Sequence, residues 1–183
     1  MLERWVVWRV VKGLMPANER FDLQGNRPQA WTASADALWS AASLIESAVV
    51  PMDTLMPAER GPEALLRGLA FECGFKALWL IRNPATLAKG GRYVKPAGVG
   101  EHDLLQLADA VLFQVSATER PVLNRLSAFV KFAGRYPIPR LAEQAEPVDV
   151  KGRPVIPQYF GLDDFALVAT IWTRLRDQLG PAY

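Results

Sequence analysis

Apolar side chains in this chain recur at steps of three and four residues, in runs separated by proline- and glycine-rich breaks. That periodicity constrains the fold more than any other feature of the sequence. Trp31, Ala35, Leu38, Ala42, Ile45 and Val49 fall on one stripe of a helix, with Asp36, Ser40, Glu46 and Ser47 around it and Pro51 ending it. A second run starts near Pro62 and Glu63, a proline and an acid suited to a first turn. It continues through Leu65, Leu66, Leu69, Phe71, Phe75, Leu78, Trp79, Leu80 and Ile81. Its second half is apolar nearly all round, which predicts a central helix packed on several sides. A third helix opens at Glu101-His102-Asp103 and runs to about Val115. A fourth begins at Thr118 or Glu119, with Pro121 in its first turn, and stops at Gly134. The last carries Phe165, Val168, Trp172, Leu175 and Leu179, is capped by Asp163 or Asp164, and closes at Gly180-Pro181 with Arg174 and Arg176 near its negative end.

No segment reads convincingly as a strand and no internal repeat is present. The pattern predicts a single all-α domain over 1–183, an up-and-down helical bundle of about five helices with long Gly/Pro-rich loops. Residues 2–14 read as a short N-terminal helix, whose charges Glu3, Arg4, Arg9 and Lys12 do not share one face as a membrane-surface helix would require. Glu3, Arg9 and Lys12 also break any signal-like core there. Residues 16–30 read as a loop, 52–61 as a connector, 84–100 as a flexible connection, and 135–160, with five prolines, as irregular.

Composition limits the chemistry. One Cys and one His exclude an internal disulfide framework, most zinc sites and every mechanism that needs two histidines, so no metal or cofactor is expected. A lone cysteine fits a reducing, cytoplasmic compartment. No run of eighteen apolar residues occurs, so no membrane partner is expected. The net charge of +2 is unevenly spread: residues 61–100 carry six Lys/Arg against two Asp/Glu, and the flanks are each close to neutral. This is room for one local anionic partner rather than a global nucleic-acid-binding composition.

Few residues remain as candidates. His102 stands at a helix start after a glycine-rich loop and reads either as an acid–base group or as part of the helix opening. Glu72 and Lys76, four apart in an apolar helix, read either as a polar site inside the bundle or as its solvated edge. Lys76, Arg82, Lys89, Arg92 and Lys95 form a basic run interleaved with Gly90, Gly91 and Tyr93. Such a run suits a phosphate or a stacked base, and scattered loop cations look the same. Cys73 reads as inert core.

Three pieces go together: the helix Leu65 to Ile81 with its Glu72-x-x-x-Lys76 pair ending near Arg82-Asn83; His102-Asp103-Leu104-Leu105-x-Leu107 opening the next; and Gly134-Arg135-Tyr136-Pro137 after a helix. Over roughly residues 30–140 this combination resembles HEPN-like α-helical domains of bacteria. The resemblance implies an up-and-down bundle, often a homodimer, that binds or acts on RNA, commonly in toxin–antitoxin or defence systems beside a nucleotidyltransferase. Ribonuclease members use an Arg and a polar residue followed within a few positions by a His. Arg82-Asn83 supplies the first half, but His102 lies twenty positions after Arg82, across the loop. The expectation is therefore a non-catalytic module that binds RNA, a nucleotide or a protein partner. The alternative is a metal-independent ribonuclease using His102 with Arg82 or Arg92.

Overall fold

The structure is a computed structural model that describes residues 15–48, 60–83, 86–135, 141–150, 152–155 and 160–181. The helix expected over 2–14, and nearly all of the connector over 52–61, lie outside them. The described residues form an all-α helical bundle with helices α1 (Ala17–Gly25), α2 (Pro28–Ala48), α3 (Gly61–Arg82), α4 (Leu104–Ala110), α5 (Arg120–Ala128) and α6 (Leu162–Leu179). A π-helical turn, Phe129–Ala133, prolongs α5 to the expected stop at Gly134.

The centre is α3, as its all-round apolar character predicts. Its Pro62 sits in the first turn beside Glu63, and it ends at Asn83, where the residue before a proline takes an extended conformation. It buries Phe71, Phe75 and Leu78 completely or nearly so. Its most extensive partner is α2, and α4, α5 and α6 cover its other sides. Trp39 of α2 stacks on Trp172 of α6 with ring centroids 4.5 Å apart, and Phe71 meets both edge-on at 6.2 and 5.8 Å. Such pairs add about 0.5–1.5 kcal/mol each beyond the area they bury. Close approach depends on Gly74, where an added Cβ would lie 2.8 Å from a Leu175 methyl. Among the described residues, no helix is long and apolar enough to cross a membrane.

Four expectations need correction. The loop expected over 16–30 holds α1, which buries none of its residues and so carries no apolar stripe to read. Strands are present: β1 (Ala88–Lys89) pairs antiparallel with β2 (Arg92–Tyr93), and β3 (Val148–Val150) with β4 (Arg153–Val155), the latter inside the segment expected to be irregular. The third helix stops at Ala110, because the chain reverses through Leu112, whose φ is +52°. Gly161, not an aspartate, is the N-cap of α6; the Asp164 carboxylate reaches back to accept the Gly161 amide at 3.0 Å.

Candidate functional site

The segment expected to be a flexible connection is, from residue 86 onward, an ordered wall. Gly90 and Gly91 form a two-residue hairpin turn at φ +62° and +75°, the left-handed pair that a tight hairpin of matching twist requires. The turn is fastened to the end of α1. Asp22 accepts the amides of Gly90 at 2.6 Å and Gly91 at 2.9 Å. Asn26 accepts the Leu87 and Ala88 amides at 2.7 and 3.0 Å and donates to the Ala88 carbonyl at 2.8 Å. A helix that was invisible as a stripe thus holds the hairpin through side chains more than sixty residues away in sequence.

Behind this wall lies a cavity of about 320 Å³ between α3, β2, the following loop and the start of α4. Tyr93, Val99, Leu107 and Lys95 contribute to its lining, with Glu72, Lys76 and His102 on one side. The Glu72–Lys76 pair is largely shielded from solvent and borders the cavity. Lys76 Nζ donates to Glu72 Oε1 at 2.7 Å, and the two side chains are 12% and 9% exposed. The ammonium also lies 5.0 Å from the Trp31 ring centroid and 4.9 Å from that of Tyr93. Burial pushes the Glu72 carboxyl up, but the Lys76 charge and hydrogen bond, with His102 behind them, outweigh it and hold it below its ordinary value. Burial pulls Lys76 down, and Glu72, assisted by Tyr93, outweighs that and holds the ammonium above its ordinary value.

The second oxygen of Glu72 takes the lone histidine: His102 Nδ1 lies 2.8 Å from Oε2. An ionised carboxylate only accepts, so Nδ1 donates, and in the neutral ring Nε2 carries the lone pair. Among the described residues no group bonds Nε2, and the imidazole is 39% exposed at the cavity. The backbone here is unusual. His102 has a φ of +54°, and the next residue, Asp103, caps α4 by accepting the Gln106 amide at 3.0 Å.

The basic run divides. Lys76 is the buried partner of Glu72. Lys95 lines the cavity. Lys89 and Arg92 are exposed and directly opposite each other across the hairpin, a like-charge arrangement that disfavours the strand pair. Lys89, Arg92 and Lys95 have no acidic partner among the described residues. Arg82 is not brought to this site. Ten residues further along α3 than Glu72, roughly 15 Å down the axis, its guanidinium donates to the Val111 carbonyl and, at 2.7 Å, to Gln178. Cys73 packs against the core, and burial pushes its thiol up to about 11, the thiol being the inert form. Among the described residues, no three His, Cys, Asp or Glu side chains are grouped to hold a metal ion.

Reading the residues singly missed that Glu72 and His102 belong to one unit. They are thirty positions apart, and nothing in their spacing joins them. The Gly90-Gly91 dipeptide was a usable hairpin signal. Compared with models of known families, with curated proteins and with solved structures, the chain matches none.

Proposed function

We propose that this chain is a non-catalytic, HEPN-like helical module that binds RNA or a nucleotide at the hairpin and the cavity behind it. One observation carries the reading: Lys95 and the half-exposed Tyr93 line a cavity of about 320 Å³, Lys89 and Arg92 stand opposite each other on the adjoining hairpin, and none of the three cations has an acidic partner among the described residues. Phosphates relieve the opposed Lys89 and Arg92 charges, and a base stacks on Tyr93. The engagement of Arg82 with Val111 and Gln178 supports binding over the family's ribonuclease chemistry. The resemblance extends the proposal to a homodimer with a nucleotidyltransferase partner in a toxin–antitoxin or defence setting, checked by sedimentation and by co-purification with that enzyme.

Fluorescence anisotropy with a labelled single-stranded RNA, followed across a salt series, tests the reading. Each phosphate contact contributes about 0.7 to the slope of log K against log salt. The triple variant Lys89→Ala, Arg92→Ala, Lys95→Ala is therefore expected to lower the slope by about 2 and weaken binding at all salts. An unchanged slope, or no RNA or nucleotide binding by the wild type at low salt, overturns it.

A ribonuclease remains the second reading, favoured by one specific contact, the Glu72–His102 hydrogen bond that presents Nε2 as a base. In that reading Arg92 or Lys95, rather than Arg82, faces the phosphate. RNA cleavage by the wild type that His102→Gly abolishes would establish it in place of the first.

A further inference from the structure

The two groups that Glu72 holds differ in what they leave for a ligand. Lys76 is spent: its ammonium is paired at 2.7 Å and lies near the rings of Trp31 and Tyr93. His102 is half spent. Its Nδ1 is committed to Glu72, and the carboxylate, unable to donate, fixes which nitrogen carries the ring proton. Nε2, which no described residue bonds, is therefore a hydrogen-bond acceptor while the ring is neutral. It stands at a cavity whose other polar lining includes a cation, Lys95. A phosphate oxygen has no proton to give Nε2 and belongs on Lys95. The atom that meets Nε2 must be a donor.

We propose that His102 is a specificity-determining residue that accepts a hydrogen bond from the ribose 2′-hydroxyl of a bound nucleotide, with Glu72 as the positioning residue that holds Nε2 in its acceptor form. The inference rests on the nucleic-acid-binding reading above and adds the sugar to it. Inside an RNA strand the 2′-hydroxyl is the one free hydroxyl of the sugar, and DNA lacks it. A site with an acceptor placed for a hydroxyl disfavours an analogue that leaves it unpaired.

Three short labelled oligomers of one sequence decide the matter: RNA, DNA, and a 2′-fluoro strand that keeps a ribose-like pucker without a hydroxyl proton. At neutral pH the wild type is expected to favour RNA over both others by roughly five- to tenfold, the worth of one net hydrogen bond. His102→Gly removes the ring at a φ of +54°, where glycine is unstrained, and is expected to bind all three equally. Glu72→Gln, whose amide can donate to Nδ1 and so release the tautomer, is expected to reduce the preference, with thermal melts confirming that it folds. Equal binding of the three oligomers by the wild type overturns the inference and leaves the binding function standing. So does a preference that survives His102→Gly. Binding of none of them overturns the binding function, and the inference with it.

Discussion

Two acid–cation pairs at the same four-residue spacing sit on α3, nine residues apart, and they end in opposite conditions. Glu63 accepts from Arg60 at 2.8 Å and from Arg67 at 2.9 Å, and Arg67 reaches Glu46 at 2.6 Å with its guanidinium 4.3 Å from the Trp39 ring centroid. The Glu63 and Arg67 side chains are 2% and 4% exposed. Glu72 and Lys76 have a histidine as their third member, and it opens on a cavity. The rigid fork of an arginine consumes a carboxylate and an aromatic face together, so the first cluster closes on itself. A lysine makes a point contact and leaves one carboxylate oxygen for an imidazole whose far nitrogen has no partner among the described residues. Identical spacing therefore marks a structural clamp in one case and a candidate site in the other; the third partner decides which.

The largest expected effect lies at the closed cluster. Arg67→Ala returns the half-exposed Glu46 to solvent, leaves the buried Glu63 to Arg60 alone and empties the space beside Trp39, and a cost of about 3 kcal/mol is expected in chemical denaturation, with RNA affinity under native conditions unchanged. An affinity loss without destabilisation would reverse the assignment of the two clusters. At the open cluster Lys76→Met is expected to cost less, about 2 kcal/mol, since His102 still bonds Glu72. A loss equal to that of Arg67→Ala would show that the open pair is as structural as the closed one.

The pH dependence of stability sharpens the contrast further. Glu72 titrates below its ordinary value of 4.5 in the folded chain, so its contribution is fully present above that value and is lost as pH falls through the folded one. Lys76 titrates above its ordinary value of 10.5, so its contribution is present below that value and is lost as pH rises through the folded one. Glu72→Gln is expected to flatten the acid limb of a stability profile and Lys76→Met the alkaline limb. Unaltered limbs in both variants would mean that the pair adds nothing to folding. The smallest effect concerns Cys73, between the two members of the open pair: with its thiol pushed up to about 11 it is expected to resist a thiol reagent at pH 8 until the protein unfolds. Rapid native labelling would show that the open cluster admits solvent deep into α3.

How far these differences were readable follows from the reach of each signal. The helices with apolar stripes were legible because periodicity is local, and α3 in particular was recognisable as the central one. The Glu72–Lys76 pair was legible for the same reason. His102 joined it only through tertiary packing. The same limit made Arg82 look like a neighbour of His102: both bordered one loop in sequence, whereas in space Arg82 lies toward α6 and bonds Gln178. The helix α1 was missed because nothing in it is buried, so its role rests on Asp22 and on Asn26 just past its end, not on a stripe. The two hairpins were missed because strands of two or three residues are too short to display alternation.

The clamp between Asp22 and the hairpin turn carries a consequence for hydrogen exchange. Glycine amides in a two-residue turn at the surface ordinarily exchange with solvent among the fastest in a protein. Those of Gly90 and Gly91 are bonded instead to a carboxylate on α1. Their exchange rates therefore report the undocking of α1 from the wall of the cavity. The two glycines are natural clocks for how often that wall lets go, readable without altering a single residue.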